Sequence, residues 1–185
     1  MSTLIDYLAQ KREAFLARRR HIADGLLGPV PLKVKATAEG RSGVRRIRIR
    51  DFQVITDSPP DFAGYDLGAS SPELALGALS SCLNHSYLIQ AAALDVPIES
   101  IEVEVEATID PRAGSPGFEN TLVYPQNIAF VVRIASPASA EEIKTLRDNV
   151  EKFCPILNLL KQPQKVEGRL DLRSTVRRWR NESGD

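Results

Sequence analysis

Apolar residues in the first two dozen positions recur at helical spacing. Leu4, Leu8, Phe15 and Ile22 fall four or seven apart with basic residues between them, which predicts a helix over 2–25. Asp24-Gly25 and Gly28-Pro29 end it. The period then shortens to two. LKVKAT (32–37) and VRRIRIRDF (44–52), with a continuation near Val54, alternate apolar and polar positions, and EGRSG (39–43) makes the turn between them. DSPPDFAGYDLGAS (57–70) reads as a long loop. The segment from Pro72 to about Leu94 is apolar nearly all round, the pattern of a helix buried through the middle of a domain. Ser70 and Glu73 fit a capping box at its start, and Asp95-Val96-Pro97 forms its exit.

Residues 98–110 alternate again, with Ile101, Val103, Val105, Ala107 and Ile109 on one face and Glu102, Glu104 and Glu106 on the other, as in a strand with one solvated face. An irregular connection (111–126) leads to a second strand, IAFVVRIA (128–135). Ser139 and Glu142 open another capped helix with Ile143, Leu146, Val150 and Phe153 on its buried side. Cys154-Pro155 breaks that helix, because the residue before proline avoids the α region. A short helical piece, ILNLLK, and a last strand near 165–175 complete the body. The class is α+β, antiparallel strands around a buried central helix. The expected division is an N-terminal helical extension (1–28), a body (29–176) and a polar tail (177–185).

Composition narrows the function. With 185 residues, 43% hydrophobic and 26% charged, the chain has the balance of a soluble globular domain. A formal net charge of zero argues against nucleic-acid binding, so RRRH (18–21), RRIRIR (45–50) and VRRWR (176–180) read as solvated faces. No apolar run approaches the roughly 18 residues of a membrane span. The N-terminus lacks a hydrophobic signal core, and two cysteines exclude a secreted disulfide scaffold, so a reducing cytoplasm is expected.

Those two cysteines carry the candidate chemistry. Cys82 sits in SSCLNHSYLIQ (80–90), on a helical face with Ser71, Ala75, Ala78, Leu79, His85, Ser86 and Ile89, while Glu73, Ser80 and Asn84 fall opposite. This helix holds no Lys or Arg, so any charge that activates a buried thiol comes from elsewhere in the fold. His85, one turn on, is a candidate cation or general base. A metal would need Cys82, Cys154, His85 and His21, whose spacing matches no zinc motif. Cys154 precedes a short helix, and local logic alone ranks it the more acidic thiol. From the residues alone Cys82 is core filler, half of a Cys–His hydrolase pair, or one of two cooperating thiols.

SSPELALGALSSCLNHSYLIQAAALDVPIESIEVEVEATID (70–110) followed by NVEKFCPILNLL (149–160) resembles the OsmC/Ohr superfamily of small thiol peroxidases. The shared features are a Pro–Glu–Leu start to a central helix, a cysteine within it, an exit like Leu–Asp–Val–Pro into an alternating strand, and a later cysteine followed by proline. The resemblance spans roughly residues 31–173. It implies that Cys82 attacks an organic hydroperoxide to give a sulfenic acid, which Cys154 resolves to a disulfide. It further implies an arginine from the first hairpin, Arg41 by position with Arg46 and Arg48 as fallbacks, and a glutamate, Glu73, that holds it. Glu73 stands nine residues before Cys82, on the far side of a regular helix, so the capping box competes for it. The family pattern also implies an intertwined homodimer, no metal or flavin cofactor, and a dithiol or lipoyl-type reductant. It leaves room for a hydrophobic-ligand or redox-sensing module on the same scaffold, without turnover.

Overall fold

Three capping boxes set where the long helices begin. Thr3 and Asp6 open α1 (Leu4–Ala23), Ser70 and Glu73 open α2 (Ser71–Leu94), and Ser139 and Glu142 open α3 (Ala140–Phe153). In each, the hydroxyl accepts from the third backbone N–H while the carboxylate accepts from the cap residue's own N–H. The computed structural model describes residues 3–40 and 42–172. Its strands form two antiparallel sheets. One has the order β1 (Val34–Glu39), β2 (Val44–Ile49), β3 (Phe52–Thr56), and the other pairs β4 (Ser100–Thr108) with β5 (Gln126–Ala135). No helix among the described residues is long and apolar enough to cross a membrane.

The core gathers around α2. Leu79, Leu83, Tyr87 and Ala91 pack with Ile98, with Leu146 and Val150 of α3, and with Leu157 of a short helix α4 (Pro155–Lys161). Ile101, Val103, Val105, Phe130, Val132 and Ile134 cover it from the second sheet. Ser80, on the side of α2 opposite Cys82, donates to the Val103 carbonyl at 2.8 Å, which satisfies its hydroxyl against β4. Ala75, Ala78 and His85, expected to pack beside Cys82, are exposed in the single chain.

Two further expectations change. The run 44–52 is not one strand: Ile49 pairs with Phe52 across a turn at Arg50-Asp51, with Arg50 at φ 55°. An arginine in the left-handed region is uncommon, and the alternation of RIRIR (46–50) runs on into the turn and hides it. The strand expected near 165–175 does not form over 165–172, where every residue is exposed and unpaired in any sheet, and 173–175 lie outside the described residues. Helix α1 docks on the central helix of its own chain. Leu8 is buried against the core, and the Arg12 guanidinium donates to the Ala92 and Ala93 carbonyls at 2.8 and 3.2 Å. Those are last-turn carbonyls of α2, so Arg12 acts as a C-terminal cap supplied in trans.

Candidate active site at the paired thiols

Cys82 lies midway along α2, and Cys154 is the hinge residue between α3 and α4. The Cys154 thiol donates to the Cys82 sulfur at 3.6 Å. The two sulfurs differ in access: Cys154 is fully buried and Cys82 only partly. A reagent in solvent therefore meets Cys82 first.

Proline explains the hinge. Pro155 has no N–H, so α3 cannot continue its ladder, and Cys154 takes extended angles (φ −71°, ψ 114°) before α4 starts. The backbone N–H of Ile156, in the first turn of α4, and the Ser86 hydroxyl, one helical turn along α2, are the neighbouring donors that favour the Cys82 thiolate. The first turn of the short helix thus bears on Cys82 as well as on Cys154. Burial nevertheless pushes the Cys82 thiol above its ordinary 9.0, and the Cys154 thiol adds to that rise, while Ile156 and Ser86 pull it down. Among the described residues none of the groups acting on this sulfur is a cation.

The other named residues stand as follows. Arg41 lies outside the described residues. Arg46 is engaged by Glu39 and donates to Gln53 at 2.8 Å, while Arg48 is exposed on β2. Glu73 is exposed, and its Oε2 accepts from the Ser70 N–H and hydroxyl, each at 2.7 Å. Those bonds hold its carboxyl below the usual range, and among the described residues no arginine pairs with it. His85 faces α1, its Nε2 3.2 Å from the Lys11 ammonium. Burial and that ammonium lower its pKa, so at neutral pH it is a neutral imidazole rather than a cation beside the thiol. Among the described residues no three His, Cys, Asp or Glu side chains converge on a metal position.

Ser86 stands on the Cys82 face as its spacing indicates, while two contributors escape a reading of the sequence: Ile156 and Asn158. The Asn158 amide donates to the Cys154, Glu151 and Lys152 carbonyls at 2.8, 3.2 and 3.3 Å, stitching α4 to the end of α3. The signal for Asn158 was Pro155, which strips a donor from the preceding turn and leaves carbonyls for a short amide side chain to take.

A groove of about 360 Å³ runs past the start of α2 between Asp57, Ser58, Glu73, Leu76, Ala107 and Ile109. It is walled by the 57–70 loop, which Asp57 organises by accepting from the Tyr65 and Leu67 N–H groups at 3.0 and 3.3 Å. Gly64 and Gly68 let that loop close, since a Cβ at either would fall 1.8 or 2.4 Å from a carbonyl oxygen of β3 or its exit, Ser58 or Ile55.

The fold is similar to that of an OsmC-like protein from Mycoplasma pneumoniae, at 22% identity and a TM-score of 0.60, covering 72% of this chain and 89% of that one. An organic hydroperoxide resistance protein OsmC from Legionella pneumophila aligns with a TM-score of 0.54 at 14% identity, over 73% of this chain and 92% of that one. An OsmC-like protein of unknown function from Vibrio cholerae gives 0.56 at 11%, over 70% and 93%. No curated protein matches the chain. The family model for OsmC-like proteins matches residues 64–168, which is more than half of the sequence and takes in both cysteines. By that match, the chain belongs to the OsmC-like protein family.

Proposed function

We propose that this protein is a thiol peroxidase that reduces organic hydroperoxides. The observation that carries the reading is the pairing of a partly exposed Cys82 with a buried Cys154 at 3.6 Å. The Cys82 thiolate attacks the terminal peroxide oxygen. An S–O bond forms as the O–O bond breaks, and the alkoxide takes a proton to leave as the alcohol. Cys154 sulfur then attacks the sulfenic sulfur and expels water, giving a Cys82–Cys154 disulfide. A disulfide needs about 2.05 Å between sulfurs, so the hinge at Cys154 has to advance Sγ by roughly 1.5 Å. Two electrons from an external dithiol, a lipoyl group or a protein of that type, return both thiols. Neither metal nor flavin takes part.

Activation needs a cation that the described residues of one chain do not put on the sulfur, and Arg41 is our candidate for it. Homodimerisation belongs to the same reading. Leu32, Val30, Phe62 and Leu170 are 94, 76, 80 and 87% exposed, more apolar surface than an isolated domain usually leaves bare. We assign Glu73 to the capping box rather than to catalysis.

The test treats fully reduced protein with one equivalent of cumene hydroperoxide, titrates free thiols and maps the product by mass spectrometry. The expected result is rapid loss of both thiols to the Cys82–Cys154 disulfide. Cys154→Ser should stop at the sulfenic acid, and Cys82→Ser should not react. Survival of both thiols in excess peroxide refutes the peroxidase. The raised Cys82 pKa would then favour a second reading, a ligand-binding or redox-sensing module on this scaffold.

A further inference from the structure

Helix α1 lies outside the segment matched by the family model, yet it builds a pocket against the central helix one turn from Cys82. The trough, about 450 Å³, is lined by Lys11, Ala14, Phe15 and Arg18 of α1 and by His85 and Ile89 of α2. Its floor is apolar, and two cations stand on it. Lys11 and Arg18 are seven residues apart, two turns of one helix face, or about 10 Å along the axis. Ala14 and Phe15 fill the turn between them.

The polar groups here are incompletely matched. The Lys11 ammonium lies 3.2 Å from the Tyr7 hydroxyl and 3.2 Å from His85 Nε2, and 5.4 Å over the Tyr7 ring. All three of those partners are neutral. Among the described residues neither Lys11 nor Arg18 forms an ion pair, although α1 does place Arg12 beside Asp95. Burial first, and then the ammonium beside it, disfavour a proton on the His85 imidazole. Two uncompensated cations and a histidine around an apolar trough complement one kind of molecule: an amphiphile with a carboxylate at one end.

We propose that Lys11, Arg18 and His85 form a carboxylate seat, and that α1 thereby selects hydroperoxides carrying a carboxylate over neutral ones. The apolar body of the substrate lies along Phe15 and Ile89, and the hydroperoxide faces Cys82, whose helical position is about 4.5 Å of rise from His85. The reacting group rests on the peroxidase reading. The carboxylate seat does not.

The experiment compares 4-carboxycumene hydroperoxide with its methyl ester, which share the reacting centre and differ in charge. Wild-type protein should prefer the acid in kcat/KM. Lys11→Met should cut the acid-to-ester ratio about tenfold, one charge-assisted contact at a partly exposed site, and Lys11→Arg should keep it. In parallel, calorimetry on the Cys82→Ser protein compares binding of 4-isopropylbenzoate with that of its methyl ester, with and without Lys11→Met. A tenfold loss of the benzoate preference supports the seat even if no peroxide is consumed, an outcome that would sink the peroxidase reading alone. Equal use of acid and ester by wild-type protein, or an unchanged ratio in Lys11→Met, overturns the inference and leaves the peroxidase standing. If no peroxide turns over, equal binding of benzoate and ester overturns it.

Discussion

Asn158→Leu isolates the contribution of the α3–α4 hinge. In an unbroken helix the Glu151 carbonyl accepts from residue 155 and the Lys152 carbonyl from residue 156. Here residue 155 is proline, and the Ile156 N–H makes no backbone bond to the Lys152 carbonyl. Both carbonyls therefore depend on the Asn158 amide, at 3.2 and 3.3 Å. The Cys154 carbonyl is different, because it also accepts from the Asn158 backbone N–H at 3.1 Å and keeps a partner when the side chain is changed.

Leucine preserves the volume and removes the donors. Two lost bonds at partly exposed carbonyls cost about 1 kcal/mol each. The better helix propensity of leucine returns about 0.5 kcal/mol. The net destabilisation is about 1.5 kcal/mol, a fall in Tm of roughly 3–6 °C for a chain of this size. Thermal unfolding followed by circular dichroism gives the global value. Hydrogen exchange by mass spectrometry gives its location, with faster exchange expected in the peptide that holds residues 154–160. A Tm within 1 °C of wild type and unchanged exchange in that peptide would refute the account of the hinge.

Arg41→Met tests the activating cation by pH. With Cys154, Ile156 and Ser86 as the groups acting on Cys82, its thiol stays above 9.0, so iodoacetamide alkylation of the variant should rise about tenfold per pH unit from 6 to 9. The wild-type curve should lie at lower pH, and superimposed curves would remove Arg41 from the mechanism. Acid stability tests the capping boxes. The carboxyls of Asp6, Glu73 and Glu142 titrate below their ordinary values because the cap residues donate to them, and Arg112 holds Asp110 at about 2. A depressed folded pKa gives stability that is complete above the unfolded value, 4.5 for glutamate, and is lost as pH falls through the folded one. Tm should be insensitive to these groups from pH 5 to 7 and fall below about 4.5, and a Glu73→Gln/Glu142→Gln protein that loses Tm just as steeply there would contradict the assignment.

The helices were legible because their signals are local. Ser70 with Glu73, and Ser139 with Glu142, mark starts that the structure reproduces within a residue. The strand pair β4 and β5 was equally plain from the Glu102–Glu106 alternation. What stayed hidden depends on partners distant in sequence. Arg12 looks like one more solvated cation of a basic helix, and its role as a cap on α2 arises from contacts 80 and 81 residues away. The approach of Cys82 to Cys154 spans 72 residues, and only the family resemblance pointed to it. His85 illustrates the opposite error. Its spacing from Cys82 suggested a Cys–His pair, but α1 covers part of its ring and brings Lys11 to it, and burial together with the neighbouring ammonium makes an imidazolium unfavourable.

Pro155 ties the structural and chemical parts of the site together. By removing one N–H it ends α3 and leaves Cys154 extended, with its own N–H bonded to the Val150 carbonyl at 2.8 Å and its carbonyl accepting from Asn158. The same break places Ile156 in the first turn of α4, where its N–H favours the Cys82 thiolate. The two carbonyls left behind are then satisfied by Asn158, which keeps the hinge from fraying. A single proline in the ladder thus sets both the place of Cys154 and the turn that acts on Cys82. Under the proposed two-thiol chemistry the partners differ in setting: Cys82 stands partly exposed midway along α2, while Cys154 is buried at the extended residue that joins α3 to α4.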